Sequence, residues 1–355
     1  MKRLFTLLLV ICSVATLTAQ RPQDFMKVGG GISPDLILQD DGNHLQNLPQ
    51  RNVMSDPETT VPVTLTVATE KYGQLEEQLK DYANIWSDSI VVSGFMNKAD
   101  FSALWNHIWT HNISLVLNLE GVTMENNEVP DHALFMTGQF GSEIWPRIRR
   151  IMLPEGIKRI GTAAFACLHL QQVNIPSSVR EIGASAFAYD NSLDCPIVIP
   201  EGVEEIKSYT FHYCHRLRTA PVLPQSLKKI GAAAFSYTDF DGMLFPSGLV
   251  SIGEVAFLRN GLSEIRLPES CTEIGSSAFE NSYKVKEIIL PESLDEIPWS
   301  AFYMCDNLEY ISIPANIKTI GEAAFECCFK LKRVDFSEGI TEIGKDAFSL
   351  CAIDS

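Results

Sequence analysis

Through the second half of the chain, apolar residues return in a fixed rhythm. Two stand at alternate positions just before a proline, as in Ile151 and Leu153, Val173 and Ile175, Ile265 and Leu267, and Ile311 and Ile313. Period two marks a strand with one face inward, and a proline, lacking an N–H, ends that strand's ladder. A second pair follows, such as Ile157 and Ile160, Val203 and Ile206, or Leu294 and Ile297, predicting an opposite wall. Next comes a glycine (Gly161, Gly183, Gly231, Gly253, Gly275, Gly321, Gly344), where the backbone turns with positive φ or passes close to a neighbour. Lys207 and Pro298 break that column. An alanine–phenylalanine pair closes the unit in every copy except at Thr210, predicting a short helical turn with the ring on the core.

The unit is written again and again. Aligned on Pro154, Pro176, Pro200, Pro224, Pro246, Pro268, Pro291, Pro314 and Ser337, successive copies are 22, 24, 24, 22, 22, 23, 23 and 23 residues apart. A phenylalanine follows each anchor by eleven residues, from Phe165 to Phe348. Self-similarity at this period predicts a solenoid over 149–355, with eight full copies and a truncated ninth. The phenylalanines then form a ladder inside it, each contributing roughly 1.5–3 kcal/mol by burial.

Upstream the rhythm changes. Val63–Ala68 alternates like a strand, and Tyr72, Leu75, Leu79, Tyr82 and Trp86 recur at helical steps. A short strand near Ile90–Val92, a second helix carrying Phe101, Leu104, Trp105 and Ile108, and a strand at Leu115–Leu119 follow. Val129–Leu134 lines up with Ile297–Phe302 as a degenerate repeat, and the surplus residues near Gly138–Trp145 predict a surface loop. An open array needs its first apolar face covered, so 61–148 reads as a small α/β N-terminal cap. Residues 20–60, polar and aperiodic, read as a tether.

The repeat, (Leu)-x-x-(Ile)-x-(Leu)-Pro-x-x-(Leu)-x-x-Ile-Gly-x-x-Ala-Phe-x-x-Cys, resembles the BspA-like leucine-rich-repeat family of bacterial secreted and surface proteins. The likeness covers 149–355 strongly and 113–148 weakly. It implies a curved right-handed solenoid that binds host or environmental macromolecules, and it implies no catalytic residues. Two coils depart from the pattern. Pro221 replaces an inward strand residue and Asp241-Gly242 interrupts another strand, which puts their pairing in doubt.

Composition adds three points. The start of the chain, basic and then apolar from Leu4 to about Val14, reads as a secretory signal over 1–19, too short to span a membrane. No later run is apolar enough for a span. This places the protein outside the cytoplasm: secreted, on the cell surface or periplasmic. A net charge of −16 repels phosphate backbones, so nucleic acid is excluded as a partner. Cys214, Cys305, Cys328 and Cys351 share one repeat position, three residues after the phenylalanine, which points to buried thiols chosen for packing.

Motifs for catalysis, phosphate binding or a complete calcium loop are absent from the sequence. Gly29–Gly31 is flexible spacing, and Asp239–Gly242 is a turn rather than a calcium site. His107 and His111 stand one helical turn apart, and His212, Cys214 and His215 cluster, but neither group completes a ligand set. No metal, cofactor or catalytic residue is assigned.

Two columns remain. Tyr189, Tyr213 and Tyr237 each lie two residues after a phenylalanine in successive coils. They form an aromatic strip for a sugar or peptide if exposed, and a packing ladder if buried. The outward strand position two before the proline carries Val198, Val222, Leu244 and Ile289, flanked one alternation back by Glu264, Glu287 and Tyr310. An apolar stripe there indicates a contact surface. The chain therefore reads as an exported, non-enzymatic protein that binds an extracellular protein or glycan, with adhesion as its use. The alternative is a structural spacer or self-assembling surface component.

Overall fold

The computed structural model describes residues 63–82, 87–111, 114–135 and 147–353. The expectations for 1–19, for 20–60, for Trp86 and for the loop near Gly138–Trp145 lie outside them.

From the N-terminal side the chain forms β1 (Thr64–Thr69), α1 (Leu75–Lys80), β2 (Ser89–Met96), α2 (Lys98–His111) and β3 (Ser114–Met124). Their strands pair in parallel, and β3 pairs onward with Arg147–Met152, which pairs with Gln172–Val173. The cap is thus made of the first rungs of the array's own sheet, with helices as return paths. Along α2 the three- and four-residue spacing of Phe101, Leu104, Trp105 and Ile108 puts all four in the core. Asn97 caps that helix by accepting the Ala99 N–H at 3.0 Å. The buried Asp100 carboxylate accepts the N–H groups of Gly73 (2.7 Å), Leu75 (2.8 Å) and Asn97 (2.9 Å), tying the start of α1 to α2. Helix α1 is shorter than the sequence spacing predicts. Tyr72 stands before it, exposed, its ring edge-on to Phe95 at 5.4 Å.

In the repeats the coils carry up to two short parallel strands, one before the proline and one before the glycine column. The first wall holds Glu264–Arg266 with Glu287–Ile289, and Tyr310–Ile313 with Arg333–Phe336. It weakens where the sequence departs from the pattern. In the coil of Pro221 only a single bridge, Val198 to Val222, remains, and residues 243–245 after Asp241-Gly242 join no strand.

The second wall divides into three sheets. Its breaks fall between Glu181–Ile182 and Glu205–Ile206, and between Glu273–Ile274 and Glu296–Ile297, the two places where Lys207 and Pro298 replace glycine. The column glycines are not at positive φ. Of the two readings, close approach is the one observed: a Cβ on Gly183 would lie 2.4 Å from the Thr162 nitrogen, and one on Gly275 2.3 Å from the Glu254 nitrogen. Each such glycine donates to the preceding coil, as Gly253 N–H does to the Ile230 carbonyl at 2.7 Å. Lys207 brings a Cβ into that gap, and Pro298 has no N–H to donate.

The wall around the phenylalanine consists of overlapping turns rather than a helical turn. In the coil of Phe211, Cys214 N–H reaches the Phe211 carbonyl three residues back. Residues two before and two after each phenylalanine are left-handed, for example Ala233 (φ 52°) and Tyr237 (φ 57°), and that conformation ends any helix. Alternate N–H groups bond to the next coil instead, as Phe235 does to Ala256 at 2.8 Å. Inside, Phe165 through Phe325 are fully buried, and successive rings up to Phe348 stand 5.2–5.8 Å apart.

Candidate functional site

Alternation on the first wall turns Val198, Val222 and Leu244 outward, and all three are exposed: 58%, 58% and 93%. Their outward neighbours one alternation back are Pro196, Ala220 and Gly242, so three successive coils present no charge at either position. Ile289 is only half-buried and stands apart, because Arg266 occupies the intervening coil. Arg266 is paired with Glu264 (2.7 Å) and Glu287 (3.6 Å), so the acids beside the apolar patch are partly neutralised. Tyr310, 44% exposed, donates its hydroxyl to Asp335 at 2.9 Å beneath the Arg333 guanidinium, 5.3 Å from its ring. A shallow groove of about 480 Å³ runs past Glu287, Ile289, Glu309, Tyr310 and Ser312. The structure therefore groups the column into an uncharged apolar patch (Val198, Val222, Leu244) and a separate polar groove (Ile289, Glu287, Tyr310).

The tyrosine column is half-buried and stacked. Tyr189 and Tyr213 lie 5.3 Å apart with rings 17° from parallel, and Tyr213 and Tyr237 lie 4.2 Å apart at 14°. His212 stands edge-on to this stack, 5.2 Å from Tyr189 and 4.6 Å from Tyr213, and Tyr209 closes the other side at 5.3 Å. Burial, aided by His215, pushes the His212 imidazole down to about 3, so it is neutral. Burial also pushes the Tyr189 and Tyr213 phenols up. Arg259, in the same repeat position one coil further, caps the stack with its guanidinium 5.7 Å from the Tyr237 ring. Arg259 escapes a hydropathy reading because it shares no chemistry with the tyrosines, only their place in the coil.

Cys214 points inward, its thiol toward the Phe187 carbonyl at 3.2 Å, while His212 packs among tyrosines. Among the described residues no group of three or more His, Cys, Asp or Glu side chains is arranged to hold a metal ion. Cys305, Cys328 and Cys351 direct their thiols to the carbonyls of Phe279, Phe302 and Phe325 at 3.6, 3.3 and 3.1 Å. Among the described residues no helix is long and apolar enough to cross a membrane.

Comparison with known proteins places this architecture. The family model described as the BspA type leucine rich repeat region matches residues 145–240 and 228–354, in 6 copies. Among curated proteins none matches. A leucine-rich repeat protein from Bacteroides ovatus, of known structure, is 29% identical over 58% of this chain and 50% of its own, with a TM-score of 0.45. The chain thus spans half the length of that protein. A leucine rich cell surface protein from Faecalibacterium prausnitzii is 21% identical, with 82% of each chain covered and a TM-score of 0.37. The pneumococcal vaccine antigen PcpA is 18% identical over 78% of this chain and 71% of its own, with a TM-score of 0.42. The matched residues are those of the stacked coils and make up more than half of the sequence: the chain belongs to the BspA type leucine-rich-repeat family.

Proposed function

We propose that this is an exported, non-enzymatic binding protein whose first wall engages an extracellular protein, with adhesion as the use. The observation that carries the reading is the patch of Val198, Val222 and Leu244, exposed in three successive coils whose outward strand positions carry no charge. Outward strand positions are ordinarily polar, and contiguous exposed apolar surface marks a contact site. The glycan alternative would call for polar groups convergent on the patch. Export rests on residues 1–19 as read from sequence.

Charging the patch tests the proposal. Val222→Lys with Leu244→Glu should leave the melting temperature nearly unchanged, since neither side chain is in the core. Capture of the partner isolated from extracellular matrix with the wild-type protein should fall at least tenfold, about 2 kcal/mol per lost anchor. Normal capture by the folded double variant would move the site elsewhere. A second reading, self-association through the last described coil, is supported by the exposure of Phe336, Ile343 and Leu350 at 51%, 52% and 63%. Sedimentation at several protein concentrations separates the two.

A further inference from the structure

We propose a second binding site, for an acidic saccharide, built by Arg259, Tyr237, Tyr213 and His215. It uses the column two residues after the phenylalanine, not the outward strand column, and does not depend on the protein-binding patch.

The backbone at this column is left-handed in every described coil, from Cys167 (φ 62°) through Tyr189, Tyr213, Tyr237 and Arg259 (φ 63°, 59°, 57° and 54°) to Leu350 (φ 59°). After glycine, asparagine takes that conformation at least cost, and Asn281 does so in one coil. Core packing does not require a large aromatic here, because Cys167, Met304 and Cys327 serve elsewhere. Large side chains nevertheless fill the position in four consecutive coils. The left-handed backbone is common to every described coil, so it is the run of three tyrosines followed by an arginine that sets these four apart.

Geometry then defines the ligand. The ring faces are occupied by one another at 4.2 and 5.3 Å, and the Tyr237 face turned to the next coil lies under Arg259. A sugar ring has no free face to stack on, so recognition falls to the ring edges and hydroxyls. The Tyr213 phenol lies beside that of Tyr237 in the stack, and burial pushes its pKa up, so it stays neutral. His215 lies 5.1 Å from the Tyr213 ring and 6.4 Å from Tyr237, and its Nε2 is buried without a hydrogen-bond partner. Burial and Arg259 push its pKa down, so the imidazole is neutral.

The exposed Arg259 has no carboxylate within ion-pair distance among the described residues, although the chain carries 44 acidic residues. The nearby Asp239 is taken by Lys284 at 2.9 Å and by the Tyr283 hydroxyl at 2.8 Å. A guanidinium fork beside phenol hydroxyls and an imidazole matches a carboxylate that carries hydroxyls next to it. A uronic acid has that pattern. A neutral sugar leaves the guanidinium unmatched, and an acidic peptide leaves the hydroxyls unmatched.

Titration calorimetry with a glucuronic-acid oligosaccharide tests the site, with glucose and a glutamate-rich peptide as comparison ligands. The oligosaccharide should bind saturably to the wild-type protein and glucose should not. Arg259→Gln should weaken binding tenfold or more, and Tyr237→Phe, which keeps the stack, several-fold. Val222→Lys with Leu244→Glu should bind the oligosaccharide normally, which separates this site from the protein-binding patch. Unchanged binding in Arg259→Gln, or binding of the peptide in place of the oligosaccharide, overturns the proposal.

Discussion

Three residues after each phenylalanine the chain meets a backbone problem, and it solves it differently in different coils. Cys214, Cys305, Cys328 and Cys351 donate their thiols to the phenylalanine carbonyl of the preceding coil. Asn260 offers its amide to the Phe235 carbonyl at 3.4 Å and to Thr238, and accepts the Leu262 N–H at 2.9 Å. Asp190 accepts the N–H groups of Leu168 and Leu170 at 3.0 and 3.1 Å with one oxygen, while its other oxygen is buried without a partner. Burial pushes the Asp190 carboxyl well above its ordinary value. The folded protein therefore keeps a proton that the unfolded chain releases above about pH 4, and stability falls as pH rises through and beyond that point. Asp190→Asn keeps the acceptor and supplies a donor. Thermal melts should show the variant more stable than the wild type at pH 7, by about 1 kcal/mol or more, with the gain vanishing below pH 4. A variant no more stable at neutral pH rules out the charge account. Leu168, Asp190, Cys214, Thr238, Asn260 and Ser282 share no hydropathy, so the cysteines were legible in the sequence and the column they belong to was not. The feature that recurs at Asp190, Cys214, Thr238 and Asn260 is a side-chain bond to backbone, which appears only once the coils are stacked.

Among the elements, the glycine column governs how closely coils approach on the second wall. Gly253 is the measure of it, since a Cβ there would lie 2.6 Å from the Ala232 nitrogen, and backbone cannot rotate away as a side chain tip can. Gly253→Ala should cost about 1–3 kcal/mol and part the wall at that rung. Hydrogen exchange should show lost protection at the residue 253 amide, now bonded to Ile230 at 2.7 Å. Gly242→Ala is the control, because nothing lies within 4 Å of its Cβ position, and it should change little. Equal effects at the two sites would contradict the close-approach account. The spacing of Ile, Gly and Phe was enough to read the strands, the coil length and the glycine's importance. Period alone did not distinguish a turn at positive φ from a close approach, because both select glycine. For a similar reason the Ala-Phe pair read as a helical turn. Apart from Asn281 and Asp346, the left-handed positions on either side are held by residues such as Ala, Ser, Cys and Tyr, which do not announce that conformation.

At the scale of the molecule, the first wall's apolar positions were legible because alternation fixes which side chains face outward, as at Val198, Val222 and Leu244. Their separation from Ile289 depends on Arg266 joining Glu264 and Glu287, a contact between coils that a column of letters does not display. Stability across the array is likewise a property of neighbours. Each coil touches only the coils beside it, so cooperation between distant coils passes through every rung between them. Phe257 is such a rung. It is fully buried, stacked on Phe235 at 5.5 Å and on Phe279 at 5.2 Å, with Phe245 edge-on at 5.6 Å. Phe257→Ala leaves a cavity that the two stacked rings cannot close without shifting the hydrogen-bonded coils that carry them. The cost should be about 3–5 kcal/mol. Because the loss falls on an interface between coils, calorimetry should resolve the single melting transition into two, for the coils before and after residue 257. Hydrogen exchange should assign the lower transition to the half with fewer coils behind it. A single transition merely shifted in temperature would show that coupling bypasses the ring ladder and runs through the backbone bonds between coils.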